Sequence, residues 1–66
     1  SDEGQLRTLC QTILEQNPKN VASYRAGKRA LLGFFVGQAM KQSGGRANPE
    51  LVNRLFTELL GPVEGS

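Results

Sequence analysis

Six cations run through the middle of this 66-residue chain with no acid among them: Lys19, Arg25, Lys28, Arg29, Lys41 and Arg46. The flanks are acidic. Asp2, Glu3 and Glu15 outnumber Arg7 before the basic stretch, and Glu50, Glu58 and Glu64 outnumber Arg54 after it. The net charge of +2 conceals this segregation. Charges separated in sequence can separate on a surface, and a basic surface attracts polyanions. The plain alternative is a solvated basic face. Other chemistries are poorly supplied. The chain has no histidine, which removes the commonest general base and the commonest metal ligand. Its six carboxylates show no ligand spacing, and Gly44-Gly45 reads as a turn rather than a phosphate loop. Cys10 is the sole cysteine and falls at helical spacing among Leu6, Leu9, Ile13 and Leu14. A buried structural thiol is expected there, in a reducing, cytosol-like compartment. No catalytic residue, no metal site and no cofactor are expected within these residues.

The elements that must position the cations follow from the apolar spacing. Ala30 to Met40 contains one polar side chain, Gln38. That is too short to span a bilayer, which needs about 20 apolar residues, but suits a central helix covered on several sides. Ala26, Ala30, Gly33 and Gly37 share one stripe of it. Glycine inside a helix costs about 1 kcal/mol against alanine, so Gly33 and Gly37 call for a compensating contact. Tight helix–helix packing is the ordinary one; direct approach of a ligand backbone is the sharper one.

Ahead of the central helix, Asp2 and Gln5 form a capping-box pattern, and Leu6, Leu9, Cys10, Ile13 and Leu14 make one apolar face. Asn17-Pro18 stops that helix and starts a short one, with Val21 and Tyr24 facing inward and Gly27 as its left-handed end. Asn48-Pro49 repeats the start signal. Leu51, Val52, Leu55, Phe56, Leu59 and Leu60 then give the cleanest amphipathic face, ended by Gly61-Pro62. No stretch alternates as a strand would. The chain is therefore expected to be an all-α bundle of three longer helices and one short one, over about residues 2–16, 18–26, 28–43 and 49–60. The central helix should pack between the first and last. Leu9, Ile13, Leu32, Phe34, Val36, Leu55 and Phe56 are expected in one core. Residues 1–62 should form the domain, a monomer by itself, with 63–66 a frayed end. Ser1 is followed by no apolar signal segment, so a piece of a longer protein with no visible address is expected.

Several runs together carry a resemblance: Tyr24-Arg25-Ala26-Gly27-Lys28, Gly33-Phe34, Val36-Gly37-Gln38, Met40-Lys41 and Ala47-Asn48-Pro49. Their order and spacing resemble the GatB/YqeY-type tail domain of the B subunit of aspartyl/glutamyl-tRNA(Asn/Gln) amidotransferase. The opening Ser1-Asp2-Glu3-Gly4 and the Asn17-Pro18-Lys19 turn are similar too. The resemblance implies the last, all-helical part of that tail. It implies a parent enzyme, in the cytoplasm, that amidates glutamate or aspartate mischarged onto tRNA. One subunit of that enzyme releases ammonia from glutamine, and the B subunit uses ATP and magnesium. The tail itself would be a non-catalytic tRNA-binding appendage that helps position and discriminate the tRNA. A free-standing YqeY-type protein shares the fold.

On this resemblance the tRNA-binding candidates are Lys28 and Lys41, the motif lysines, followed by Arg25, Arg29 and Arg46. Were both lysines on one straight helix, they would stand about 20 Å apart and about 140° around its axis. Gly33 and Gly37 are the candidates for close helix packing. The expected partners are tRNA and the other parts of the amidotransferase, and no membrane. The competing class of function is a protein-interaction module that docks on the parent enzyme through the Gly33/Gly37 stripe or a Leu31/Phe35 patch. A basic amphipathic membrane binder is disfavoured, because the core needs the apolar faces.

Overall fold

The computed structural model describes residues 2–65. Four helices follow in order: α1 (Asp2–Gln16), α2 (Pro18–Arg25), α3 (Leu31–Gln42) and α4 (Pro49–Leu60). No strand occurs among the described residues. The bundle measures 34 × 17 × 17 Å. α3 packs on both α1 and α4, and α1 and α4 also meet each other, so the three long helices form a triangle. The expected layering, with the central helix between the other two, gives way to this arrangement because each long helix has an apolar face broad enough for two neighbours. No helix is long and apolar enough to cross a membrane.

The core draws on all four helices. Cys10 and Ile13 enter it from α1, Tyr24 from α2, Phe35 and Ala39 from α3, and Val52, Leu55, Phe56 and Leu60 from α4. Phe35 and Phe56 stack with ring centroids 5.7 Å apart, so the largest buried side chains of α3 and α4 meet directly. Leu9, Leu32 and Val36 pack against this core as half-buried side chains. Phe34 does not belong to it. It is 39% exposed, and Phe35 takes the place expected for it.

Helix ends obey the chemistry of their residues, with two corrections. Asn48 Oδ1 accepts from the amides of Glu50 at 2.9 Å and Leu51 at 3.2 Å, a working N-cap for α4. Asn17 does the opposite job. Its Nδ2 donates to the Ile13 carbonyl at 2.8 Å, so it closes α1 instead of capping α2. Asp2 lies inside α1 rather than ahead of it. Gly27, at φ +126°, ends α2 with paired bonds from the Gly27 amide to Tyr24 O and the Lys28 amide to Ser23 O. Gly44, at φ +65°, ends α3 in the same way, with Gly44 N to Lys41 O and Gly45 N to Met40 O.

Two boundaries move. α3 begins at Leu31, not near residue 28. Lys28, Arg29 and Ala30 form a tight turn in which Leu31, Leu32 and Gly33 each bond back three residues. The chain after Pro62 does not fray at once. Val63 is buried among the core residues, and the Glu64 amide donates to the Arg25 carbonyl at 2.7 Å. Val63 supplies the apolar surface that holds the end down. Of the expected frayed end, Ser66 lies outside the described residues.

Candidate nucleic-acid interface

The basic residues split into groups with different duties. Arg25 is structural in this fold. Its Nε donates to the Leu60 carbonyl at 3.0 Å, and its own carbonyl receives the Glu64 amide. The last carbonyls of a helix lack intrahelical donors and carry negative partial charge, so a guanidinium is well matched to them. Arg7 and Arg54 belong to a separate group on α1 and α4. Arg7 pairs with Glu58 at 3.0 Å, and Arg54 lies 3.5 Å from Glu3 and 4.0 Å from Glu58. Both flanking arginines are thus met by flanking acids, Glu58 and Glu3, with Arg7–Glu58 and Arg54–Glu3 bridging α1 and α4.

Three cations of the acid-free stretch are not matched in this way among the described residues. Lys28, Lys41 and Arg46 are exposed, and no carboxylate pairs with them among the described residues. Arg29 is exposed beside Lys28. They divide between the two ends of α3. Lys28 and Arg29 occupy the turn that leads into it, and Lys41 lies in its last turn. Arg46 follows in the loop to α4. Ser43 stiffens that loop: its Oγ donates to Met40 O at 3.1 Å and accepts the Ala47 amide at 3.4 Å. Arg46 also lines a shallow groove with Asp2, Gln5, Leu6 and Leu51, where α1 begins. The structure therefore separates Lys28 and Arg29 from Lys41 and Arg46. Because Lys28 precedes the helix, the expected 20 Å spacing along one straight axis does not describe the pair.

Between these clusters runs the outward face of α3, with Ala30, Gly33, Phe34, Gly37 and Lys41 all exposed. The expected close helix packing at Gly33 and Gly37 is not there. A methyl group added at either glycine would meet nothing within 4 Å. The reason is rotational: Phe35 and Ala39, on the opposite side of α3, face the other helices. The same rotation removes the expected Leu31/Phe35 docking patch, since Phe35 is fully buried. Phe34 is the exposed residue that the sequence reasoning misplaced. At 100° per residue Phe34 lies close to Gly37 and Lys41 and away from Phe35 and Ala39, but in a helix that is apolar or small nearly all round this spacing does not say which side faces the core.

Among the described residues, no cluster of three or more His, Cys, Asp or Glu could hold a metal ion. Burial raises the pKa of the Cys10 thiol above its ordinary value, with Arg7 opposing weakly, so the group stays a neutral core thiol.

Comparison with known proteins bears on what this surface serves. The family model described as GatB domain matches residues 1–60. The chain belongs to the GatB domain family. Relatives named as the B subunit of aspartyl/glutamyl-tRNA(Asn/Gln) amidotransferase share about half of its residues. The protein from Persephonella marina is 50% identical over 60 residues, which is 91% of this chain and 13% of that protein. The one from Rickettsia canadensis is 52% identical over 61 residues, 92% of this chain and 13% of the relative. That of Pelodictyon phaeoclathratiforme is 52% identical over 65 residues, 98% of this chain and again 13% of the relative. This GatB-family domain thus spans about an eighth of the length of the curated relatives it matches. No solved structure matches it.

Proposed function

We propose that this GatB-family domain is the non-catalytic tRNA-binding tail of the B subunit of an amidotransferase. In that role it helps to position and discriminate Glu-tRNA(Gln) or Asp-tRNA(Asn) for transamidation. One observation carries the reading: Lys28, Lys41 and Arg46 stand exposed around the two ends of α3 with no carboxylate pairing them among the described residues, while Arg7 and Arg54 are matched by acids on α1 and α4. Unpaired surface cations spread along a 34 Å bundle suit an extended polyanion better than a small ligand. The names of the relatives supply the RNA, since each contains a tRNA amidotransferase. ATP and magnesium fall to the rest of the parent protein in this reading. The other subunits of the enzyme are its partners, and the cytoplasm its compartment.

Phosphate contacts would dominate, with recognition of tRNA shape rather than of base sequence over most of the surface. The test is tRNA affinity at several salt concentrations in the intact enzyme, for Lys28→Gln, Lys41→Gln and Arg46→Gln. Each substitution should weaken cognate and non-cognate tRNA by similar factors and lower the salt slope by about one. If all three leave affinity and slope unchanged in folded protein, the basic surface is only solvated and the tail docks protein instead.

A further inference from the structure

The uncovered face of α3 offers more than charge. Ala30, Gly33, Phe34, Gly37 and Lys41 fall within about 100° around the helix axis, and every one is exposed. Phe34, at 39%, is the exposed large hydrophobic residue of the described chain. Its ring forms a T-shaped pair with Phe35, at a centroid distance of 5.5 Å and an interplanar angle of 66°. Phe35 is itself locked between that contact and the buried ring of Phe56. On one side of Phe34 lie Gly33 and Gly37, where nothing stands within 4 Å of an added methyl group. Lys41 follows about 10 Å further along the same stripe, and Lys28 precedes the helix at the other end. No acidic residue belongs to α3 or to the turns on either side of it.

An exposed aromatic ring packed against the core, a bare backbone beside it and a cation in line form a stacking platform with a phosphate partner. An apolar protein helix would use the ring and the glycines but would leave the cations at both ends unmatched. A nucleic acid strand uses all three, since every base has a π-face and every nucleotide a phosphate. We propose that this face takes a single-stranded segment of RNA, with one unstacked base lying on the Phe34 ring. The sugar-phosphate backbone crosses at Gly33 and Gly37, where no side chain holds it away, and Lys41 meets a neighbouring phosphate. This rests on the tRNA-binding reading above and locates its one contact with a base.

Stacking and charge have different salt signatures, and that separates the two claims. In the intact enzyme with folded tRNA, Phe34→Leu keeps apolar bulk but removes the π-face. It should weaken binding by about fivefold to a hundredfold, with the salt slope unchanged. Phe34→Tyr should restore wild-type affinity, because the ring returns. Gly37→Leu should also weaken binding with an unchanged slope, while Lys41→Gln should lower both affinity and slope. The proposal is overturned if Phe34→Leu and Gly37→Leu bind tRNA within twofold of wild type while Lys28→Gln and Lys41→Gln bind weakly. In that outcome the tRNA-binding reading survives. It is equally overturned if Phe34→Leu disturbs assembly with the other subunits, measured by gel filtration, and spares tRNA affinity, because the face is then a protein contact. A loss shared equally by Phe34→Leu and Phe34→Tyr overturns it as well. If neither the ring, the glycine nor the lysine substitutions change tRNA affinity, both readings fall together.

Discussion

Arg25 clasps the end of α4 to the segment that follows it: its Nε donates to the Leu60 carbonyl at 3.0 Å, and its backbone carbonyl takes the Glu64 amide at 2.7 Å. A residue that the family motif offers for RNA contact thus serves the fold first. A hydrogen bond from a charged donor to a helix end is worth about 1–2 kcal/mol when partly buried. Arg25→Ala should lower the melting temperature by roughly 4–8 °C for each kcal/mol lost. A thermal melt checks this. An unchanged melting curve would show that the clasp contributes nothing and would return Arg25 to the RNA candidates.

The three rings of Phe34, Phe35 and Phe56 should separate cleanly in a denaturation series. Phe35 and Phe56 are fully buried and stacked. Truncating either to alanine should cost about 3–5 kcal/mol, enough to unfold much of so small a domain. Phe34→Ala removes a half-exposed ring and should cost about 1 kcal/mol or less. Urea midpoints of the three variants decide it. Equal losses for Phe34 and Phe35 would contradict the rotation of α3 described above.

Gly37 gives a prediction of opposite sign to the one its spacing suggests. A stripe of small residues predicts close packing, in which a larger side chain destabilises. Here an added methyl group meets nothing within 4 Å, and Gly37 lies inside α3. Gly37→Ala should therefore stabilise the domain by up to about 1 kcal/mol through helix propensity. Differential scanning calorimetry would register it as a raised melting temperature. A lowered one would place a neighbour against this face in solution.

Cys10 should contribute an alkaline pH dependence. Its thiol is pushed up from an ordinary pKa of 9.0 by burial. The unfolded chain therefore releases this proton at a lower pH than the folded one does. Below about pH 9 both states hold the proton and Cys10 adds no slope. Above it the unfolded state binds fewer protons, so stability falls as pH rises until the folded thiol also ionises. Melting temperatures measured from pH 7 to 10 should show this alkaline decline, and Cys10→Ala should show a shallower one. Equal declines would mean that other groups titrate instead.

The helices, most of their ends and the segregation of charge were legible in the order of residues, because each depends on neighbours along the chain. Pro18 and Pro49 can only start a helix, Gly27 and Gly44 supply positive φ where a helix must stop, and Asn48 lies two and three residues from the amides it caps. α4 was legible in detail because its apolar residues lie on one side only, and the family resemblance followed from the same local runs. The rotation of α3 came from packing alone. From Ala30 to Met40 the helix is apolar or small nearly all round, so its periodicity favours no face. Only the volume offered by α1 and α4 selects Phe35 and Ala39 for the core and turns Phe34, Gly33 and Gly37 outward. Long-range packing also diverted Arg25 to the end of α4, because Leu60 is 35 residues away in sequence. It drew Val63 into the core as well, where a short segment after Gly61-Pro62 carries no local signal of burial. The cations were countable from the sequence. Which of them remain unpaired on the surface depends on which helices lie side by side, and that is a property of the fold.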